Sequence, residues 1–247
     1  MFTTRPEILG TFGVVTSTHW LASSSGMAML ERGGNAFDAA VAAGFVLQVV
    51  EPHLVGPGGE VPIVFHSART GKTEVICGQG TAPAAATIDY YRAQGLSMVP
   101  GNGLLATVIP GAFDAWMLLL RDHGSLPLAD VLAPAIHYAA NGHPILPRVA
   151  NEIAGLKDFF EREWPTSAAF FTPGGRLPEA KKLLRNEALA DTWRRIVRES
   201  EAGGGSREMQ IERARDTWYR GFVAEEIERF ASSNELMDES GLRHRGV

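Results

Sequence analysis

The chain is 247 residues long and 45% hydrophobic, with 23 lysines and arginines against 28 aspartates and glutamates for a net charge of -5. That length holds one large domain or two small ones around a real core, and the acidic balance argues against nucleic acid or an anionic membrane as partner. The single cysteine, Cys77, excludes an internal disulfide and fits a reducing compartment.

The first residues, MFTTRPEILGTF, include Glu7 and no continuous apolar stretch, so no secretory signal is expected and a cytoplasmic location follows. Gly13 to Ser17 has the β-branched content of a short strand, and Leu21 to Leu30 follows a helical pattern up to the Gly33-Gly34 break. Asn35 and Asp38 then stand three apart before an apolar run, the spacing at which side-chain oxygens satisfy the free N–H groups of a helix's first turn. From Ala36 to Val50 only Asp38 and Gln48 are polar, so this helix is buried all round. It is shorter than the ~20 apolar residues that span a bilayer. Ala39, Ala40, Ala42, Ala43 and Gly44 allow a neighbouring backbone close, while Phe45, Leu47, Val49 and Val50 fill the space beyond. A central helix pressed against a sheet is predicted. Pro52 stops it, and Gly56, Gly58 and Gly59 turn the chain where side chains would not fit.

Val61 to Ala68 and Lys72 to Gly78 read as a hairpin around Arg69-Thr70-Gly71. Gly78-Gln79-Gly80 follows, and Pro83 leads into an alanine run. Pro110-Gly111 opens a helix with Phe113, Trp116, Met117 and Leu120 in one stripe and Gly124 as a left-handed stop. The next stripe, Leu128 to Ala139, is closed by Gly142 and Pro144. Helices over residues 148–163, 178–200 and 207–231 are predicted, with Gly203-Gly204-Gly205-Ser206 a loose loop open to proteolysis. Residues 1–150 carry 17 charged side chains and residues 151–247 carry 34, so the first part is core-rich and the second a solvated helical layer. Leu242 to Val247 has no stop signal and reads as a cut through a connection.

There is no HExxH, CxxC, GxSxG or phosphate-binding lysine loop; Gly56-Pro57-Gly58-Gly59-Glu60 puts a carboxylate where a phosphate cradle needs lysine. No metal site or cofactor is expected, because the seven histidines are scattered. His53, between Glu51-Pro52 and the glycine loop, either lines a site or holds the loop by a hydrogen bond. Cys77 reads as a small buried hydrophobe rather than a nucleophile. A terminal Thr, Ser or Cys nucleophile is blocked by Met1-Phe2, so no complete catalytic set lies in this chain. Gln79, at a strand end with glycines on both sides, lets backbone approach a ligand, the alternative being a tight turn with a solvent-facing side chain.

The order and spacing of Gly13-Val14-Val15, Ser17, His19, Leu21-Ala22-Ser23, Gly33-Gly34-Asn35-Ala36, Asp38-Ala39-Ala40-Val41-Ala42, Glu51-Pro52-His53, Thr81-Ala82-Pro83, Pro110-Gly111, Pro134-Ala135-Ile136 and Tyr219-Arg220-Gly221 resemble the large subunit of the γ-glutamyltranspeptidase family. The resemblance runs from about residue 10 to the end. It implies an α+β fold, the four-layer αββα sandwich of N-terminal-nucleophile hydrolases, made as one precursor that cleaves itself in two. Residues 1–247 would then be part of a single domain, completed by a small subunit outside this chain. That subunit would bring the nucleophilic threonine and the oxyanion donors, and a dimer of such heterodimers is compatible with this. The threonine would form an acyl-enzyme that water or an amine resolves.

Three departures stand out: Trp20 replaces the usual proline after the histidine, Glu60 interrupts the glycine run, and Gln79-Gly80 stand where γ-glutamyl enzymes have arginine followed by glutamate. Arginine grips the donor's α-carboxylate with a charged fork, whereas Gln79 offers one neutral amide. Gln79, Gly80 and His53 are therefore the expected substrate-binding residues. The expected activity is a cytoplasmic amidohydrolase acting on a small amide such as oxamate. The alternatives are a γ-glutamyltransferase or glutathione hydrolase, and a non-catalytic binding protein on the same fold.

Overall fold

The computed structural model describes residues 7–247. Helix α1 (Trp20–Glu31) and helix α2 (Ala36–Val50) pack against one another, and α2 forms the centre of the core. The capping box at its start is present as the spacing required. Asn35 Oδ1 accepts from the Phe37 and Asp38 amides at 2.8 and 3.2 Å, and the Asp38 carboxylate accepts from the Asn35 amide at 2.8 Å.

Among the described residues α2 packs mainly on helices α1, α4 (Ala112–His123) and α5 (Leu128–Asn141), and it meets the two-stranded sheet through Phe37, whose ring lies edge-on to Phe65 at 5.4 Å. Its small residues face the Trp116 indole and a groove of about 800 Å³ whose other wall is the Val14 to Ser17 segment. Gly44 earns its place there, since a Cβ would lie 2.5 Å from the Trp116 ring. The Gly13–Ser17 segment itself pairs with no strand among the described residues, so the predicted strand is not formed there.

The hairpin is confirmed: β1 (Val61–Ser67) pairs antiparallel with β2 (Lys72–Gly78) in the register Val64↔Val75 and Val61↔Gly78. Ile63, Phe65 and Ile76 pack on the core, while Val64 and Val75 point away from it and are 71% and 66% exposed. Cys77 shares that outer face, so the expectation of a buried cysteine is corrected: it is exposed. After the short α3 (Ile88–Ala93), helices α4 and α5 complete the first half.

The second half is helical, with differences from expectation. Helix α6 (Pro147–Glu163) is followed by a short α7 (Pro165–Phe171) that sequence did not suggest. The predicted helix over 178–200 begins only at α8 (Glu187–Ala202). Its first nine residues are not helical, and residues 181–184 among them lie antiparallel to the α5–α6 connection, β3 (His143–Pro144) pairing with β4 (Leu183–Leu184). The Ile145 amide donates to Lys182 O at 2.9 Å and the Lys181 amide to Ile145 O at 2.8 Å, bonds that a helix there would forfeit. The last predicted helix divides at Arg220-Gly221 into α9 (Arg207–Tyr219) and α10 (Phe222–Ser233), and the chain ends in a small hairpin, β5 (Leu236–Met237) with β6 (Arg243–His244).

An aromatic stack joins the two halves. Phe113 lies parallel to Trp218 at 4.4 Å and to Trp193 at 5.9 Å, and Phe45 meets Trp193 edge-on at 5.1 Å. Helices α2, α4, α8 and α9 are thereby fixed together by side chains that bury about 150–250 Å² each.

The glycine loop between α8 and α9, expected to be loose, receives a hydrogen bond from one side chain. The Arg213 guanidinium donates through Nε to Ser200 O at 2.8 Å and through Nη2 to Gly204 O, so one side chain caps α8 and holds the loop. Trypsin or subtilisin under native conditions should leave residues 203–206 intact in the wild type and cut there in Arg213→Ala. Equal cleavage of both would sink this account.

Candidate functional site

Three segments meet around Gln79. The Gly59 carbonyl, ending the glycine loop, accepts from the Gly111 and Ala112 amides at 3.2 and 3.0 Å and so satisfies the first turn of α4, which has no side-chain cap. The Ile109 amide donates to Thr81 O at 2.9 Å, laying residues 108–111 alongside 78–81. The segments approach so closely that only glycine fits. A Cβ at Gly80 would lie 1.8 Å from Ile109 O, one at Gly111 would lie 2.4 Å from Gly78 O, and one at Gly78 would lie 2.2 Å from Val61 O. Gly56 and Gly58, by contrast, face open space, which corrects the expectation that side chains would not fit there.

Gln79 and Gly80 line a cavity of about 490 Å³ together with Cys77, Thr81, Ile109, the α4 and α9 residues Asp114, Glu212, Arg215, Asp216 and Tyr219, and Arg220 just after α9. His53 is not among the residues lining it, so two of the three expected binding residues come together and the third stands apart. Both ring nitrogens of His53 are buried without a hydrogen-bond partner, so the expectation that it bonds the loop in place is not met among the described residues.

The charges around the cavity are committed to one another. Arg215 Nε donates to Asp114 at 2.5 Å and its Nη1 to Glu212 at 2.8 and 3.0 Å. Glu212 also accepts from Arg121. Burial pushes the Glu212 carboxyl upward, but the hydrogen bonds from Arg121 and Arg215 outweigh it and hold the group below its ordinary range. Tyr219 donates its hydroxyl to Pro110 O, and burial together with the Asp114 charge pushes its pKa up to about 12. It is therefore a protonated strut for the 108–111 segment and no base at neutral pH.

Sequence reasoning singled out Gln79 but missed Asp114, Glu212, Arg215 and Arg220, which lie more than 30 residues further on. The Tyr-Arg-Gly motif was their only signal. Cys77 Sγ lies 3.8 Å from Gln79 Oε1 and has no adjacent base. Among the described residues no group of three His, Cys, Asp or Glu is placed to hold a metal ion, and no helix is long and apolar enough to cross a membrane.

Residues 22–243 match the family described as gamma-glutamyltranspeptidase. The chain belongs to the γ-glutamyltranspeptidase family. It is similar to the solved structure of LmbA2991T421A, with 57% identity and a TM-score of 0.96 over 100% of this chain and 42% of that one. It is 35% identical to the glutathione hydrolase-like YwrD proenzyme of Bacillus subtilis over 90% of this chain and 39% of that protein. It is 30% identical to the oxamate amidohydrolase proenzyme of Klebsiella pneumoniae over 89% of this chain and 39% of that protein. This member of the γ-glutamyltranspeptidase family thus spans about two fifths of the relatives it matches and carries the helix-rich part of their α+β fold.

Proposed function

We propose that this chain is the large-subunit part of a cytoplasmic amidohydrolase made as a precursor. A small subunit completes the single domain, and its N-terminal threonine attacks a small amide to form an acyl-enzyme. Two facts support this: similar proteins are named proenzymes, and among the described residues neither Cys77 nor Thr81 in the Gln79 cavity is hydrogen-bonded to a base. Gln79, Gly80 and, from outside the cavity, His53 are proposed to form one wall of the substrate site.

The observation that carries the substrate reading is the Gln79-Gly80 pair. The neutral amide of Gln79 cannot replace an arginine fork, Arg215 is held by two carboxylates, and the Gly80 backbone abuts Ile109 too closely for a glutamate side chain. A γ-glutamyl donor carries its α-carboxylate three carbons from the scissile carbonyl and needs such a fork at that distance. Oxamate has its carboxylate bonded directly to the scissile carbonyl, so it ends before the Gln79 wall.

The second reading, a γ-glutamyl enzyme, is favoured by Arg220. Its guanidinium lines the same cavity, is 82% exposed, and has Asp216 at 3.1 Å as its ion-pair partner, so it can turn to a carboxylate.

The test uses the full-length precursor. Intact mass should show two fragments, the smaller beginning with threonine, and the processed protein should release ammonia from oxamate faster than glutamate from a γ-glutamyl anilide. The reverse order selects the second reading. A single uncleaved polypeptide without turnover of either compound selects a binding protein.

A further inference from the structure

The Tyr219 hydroxyl sits at the first turn of α4. An uninterrupted helix start would join the Asp114 amide to the Pro110 carbonyl four residues back. Among the described residues that bond is not made. The hydroxyl stands between the two groups instead, donating to Pro110 O while the Asp114 amide faces its oxygen. Pro110 in turn lies opposite Gln79. On one side of it, Ile109 donates its amide to Thr81 O at 2.9 Å and presses its carbonyl against Gly80. On the other, a Cβ at Gly111 would lie 2.4 Å from Gly78 O and 2.8 Å from the carbonyl carbon of Gln79. The two residues that flank Pro110 therefore back the stretch that carries Gln79. The brace is anchored at both ends: Trp218, next to Tyr219, is stacked on Phe113 at 4.4 Å, and Arg215, one turn earlier on α9, is bonded to Asp114.

We propose that Tyr219 is a positioning residue for the substrate wall: its hydroxyl, wedged into the start of α4, holds residues 108–111 where they fix the place of Gln79. The inference rests on the reading that Gln79 faces the substrate. Removing the hydroxyl does more than delete one bond. With the wedge gone, the Asp114 amide and the Pro110 carbonyl are free to join, the turn closes, and residues 108–111 are drawn toward α4. The bond from Ile109 to Thr81 then weakens, and residue 79 loses the fixed backing that an aimed hydrogen bond to a substrate requires. Tyr219 touches no reacting atom in this scheme, so it governs where a substrate is held and not the chemical step.

The test uses Tyr219→Phe in the full-length processed protein, a change that keeps the ring and its packing. Amide exchange at Ile109 should become about tenfold faster in this variant, with the hairpin amides of residues 61–67 unchanged. Steady-state kinetics give a second, independent readout. The KM gain that Gln79→Arg brings for a γ-glutamyl anilide should be smaller by at least about threefold when Tyr219→Phe is also present, with kcat altered by less than about twofold. A hydroxyl that only stabilised the fold would lower the thermal midpoint and leave that KM gain intact. Unchanged exchange at Ile109, or the same Gln79→Arg gain in both backgrounds, overturns the proposal. If Gln79→Arg gains nothing even beside Tyr219, the reading of Gln79 as substrate wall has failed, and the exchange at Ile109 alone decides whether Tyr219 positions this segment.

Discussion

Asp38→Ala should destabilise the full-length protein by about 3–5 kcal/mol, the largest single effect expected here. The Asp38 carboxylate is fully buried, and besides closing the α2 capping box it reaches across to the α4–α5 turn. Oδ1 accepts from the Ser125 and Leu126 amides at 2.9 and 3.0 Å, and Oδ2 accepts from the Ser125 hydroxyl at 2.7 Å. Asn35 adds a bond in the other direction, its Nδ2 donating to His123 O at 2.8 Å. Alanine at position 38 leaves the part-buried Asn35, Ser125 and Leu126 amides without their acceptor, each costing up to about 1–3 kcal/mol and partly relieved by relaxation or water. Asp38→Asn keeps one acceptor oxygen but turns an NH2 group toward donors, so about half the loss is expected. Urea unfolding checks both. An Asp38→Ala loss under about 1 kcal/mol would mean that the carboxylate is not what joins these two turns.

Gln79→Arg should raise affinity for a γ-glutamyl donor by roughly ten- to a hundredfold, because a charge-assisted bond worth about 1.5–3 kcal/mol becomes available in the cavity. Its effect on oxamate turnover should be small, since that substrate ends before the new guanidinium. The companion change Gly80→Glu should not add to the gain. Its Cβ meets the Ile109 carbonyl, and overpacking against backbone costs about 1–3 kcal/mol and displaces the 108–111 segment. Steady-state kinetics on both substrates, with thermal unfolding of each variant, separate the two effects. If Gln79→Arg leaves γ-glutamyl affinity unchanged, residue 79 does not face the donor and the proposed substrate reading loses its basis.

What could be read in the sequence divides by range of interaction. The start of α2, the hairpin turn and most helix positions depend on residues within a few places of one another, and they stand as their side-chain chemistry dictates. Gly124 shows where that reasoning stops. It lies at φ -73°, not in the left-handed region, and is glycine because a Cβ would meet Asp38 Oδ1 at 2.6 Å, a contact 86 positions away. Residues 178–186 were misread for the same reason: their helical pattern yields to a ladder with residues 143–145. In the candidate site, Gln79 was legible from its flanking glycines, whereas Asp114 and Arg215 belong to the cavity only through the packing of α4 on α9.

The outward face of the β1–β2 hairpin carries a practical consequence. Val64 and Val75 stand side by side on it, and both long edges of the ribbon leave their backbone donors and acceptors free among the described residues. Such a surface is a template for stray strands, including those of other copies. Expressed by itself, the 247-residue segment should therefore tend toward aggregates and inclusion bodies, and chaperone capture would be an early sign of it.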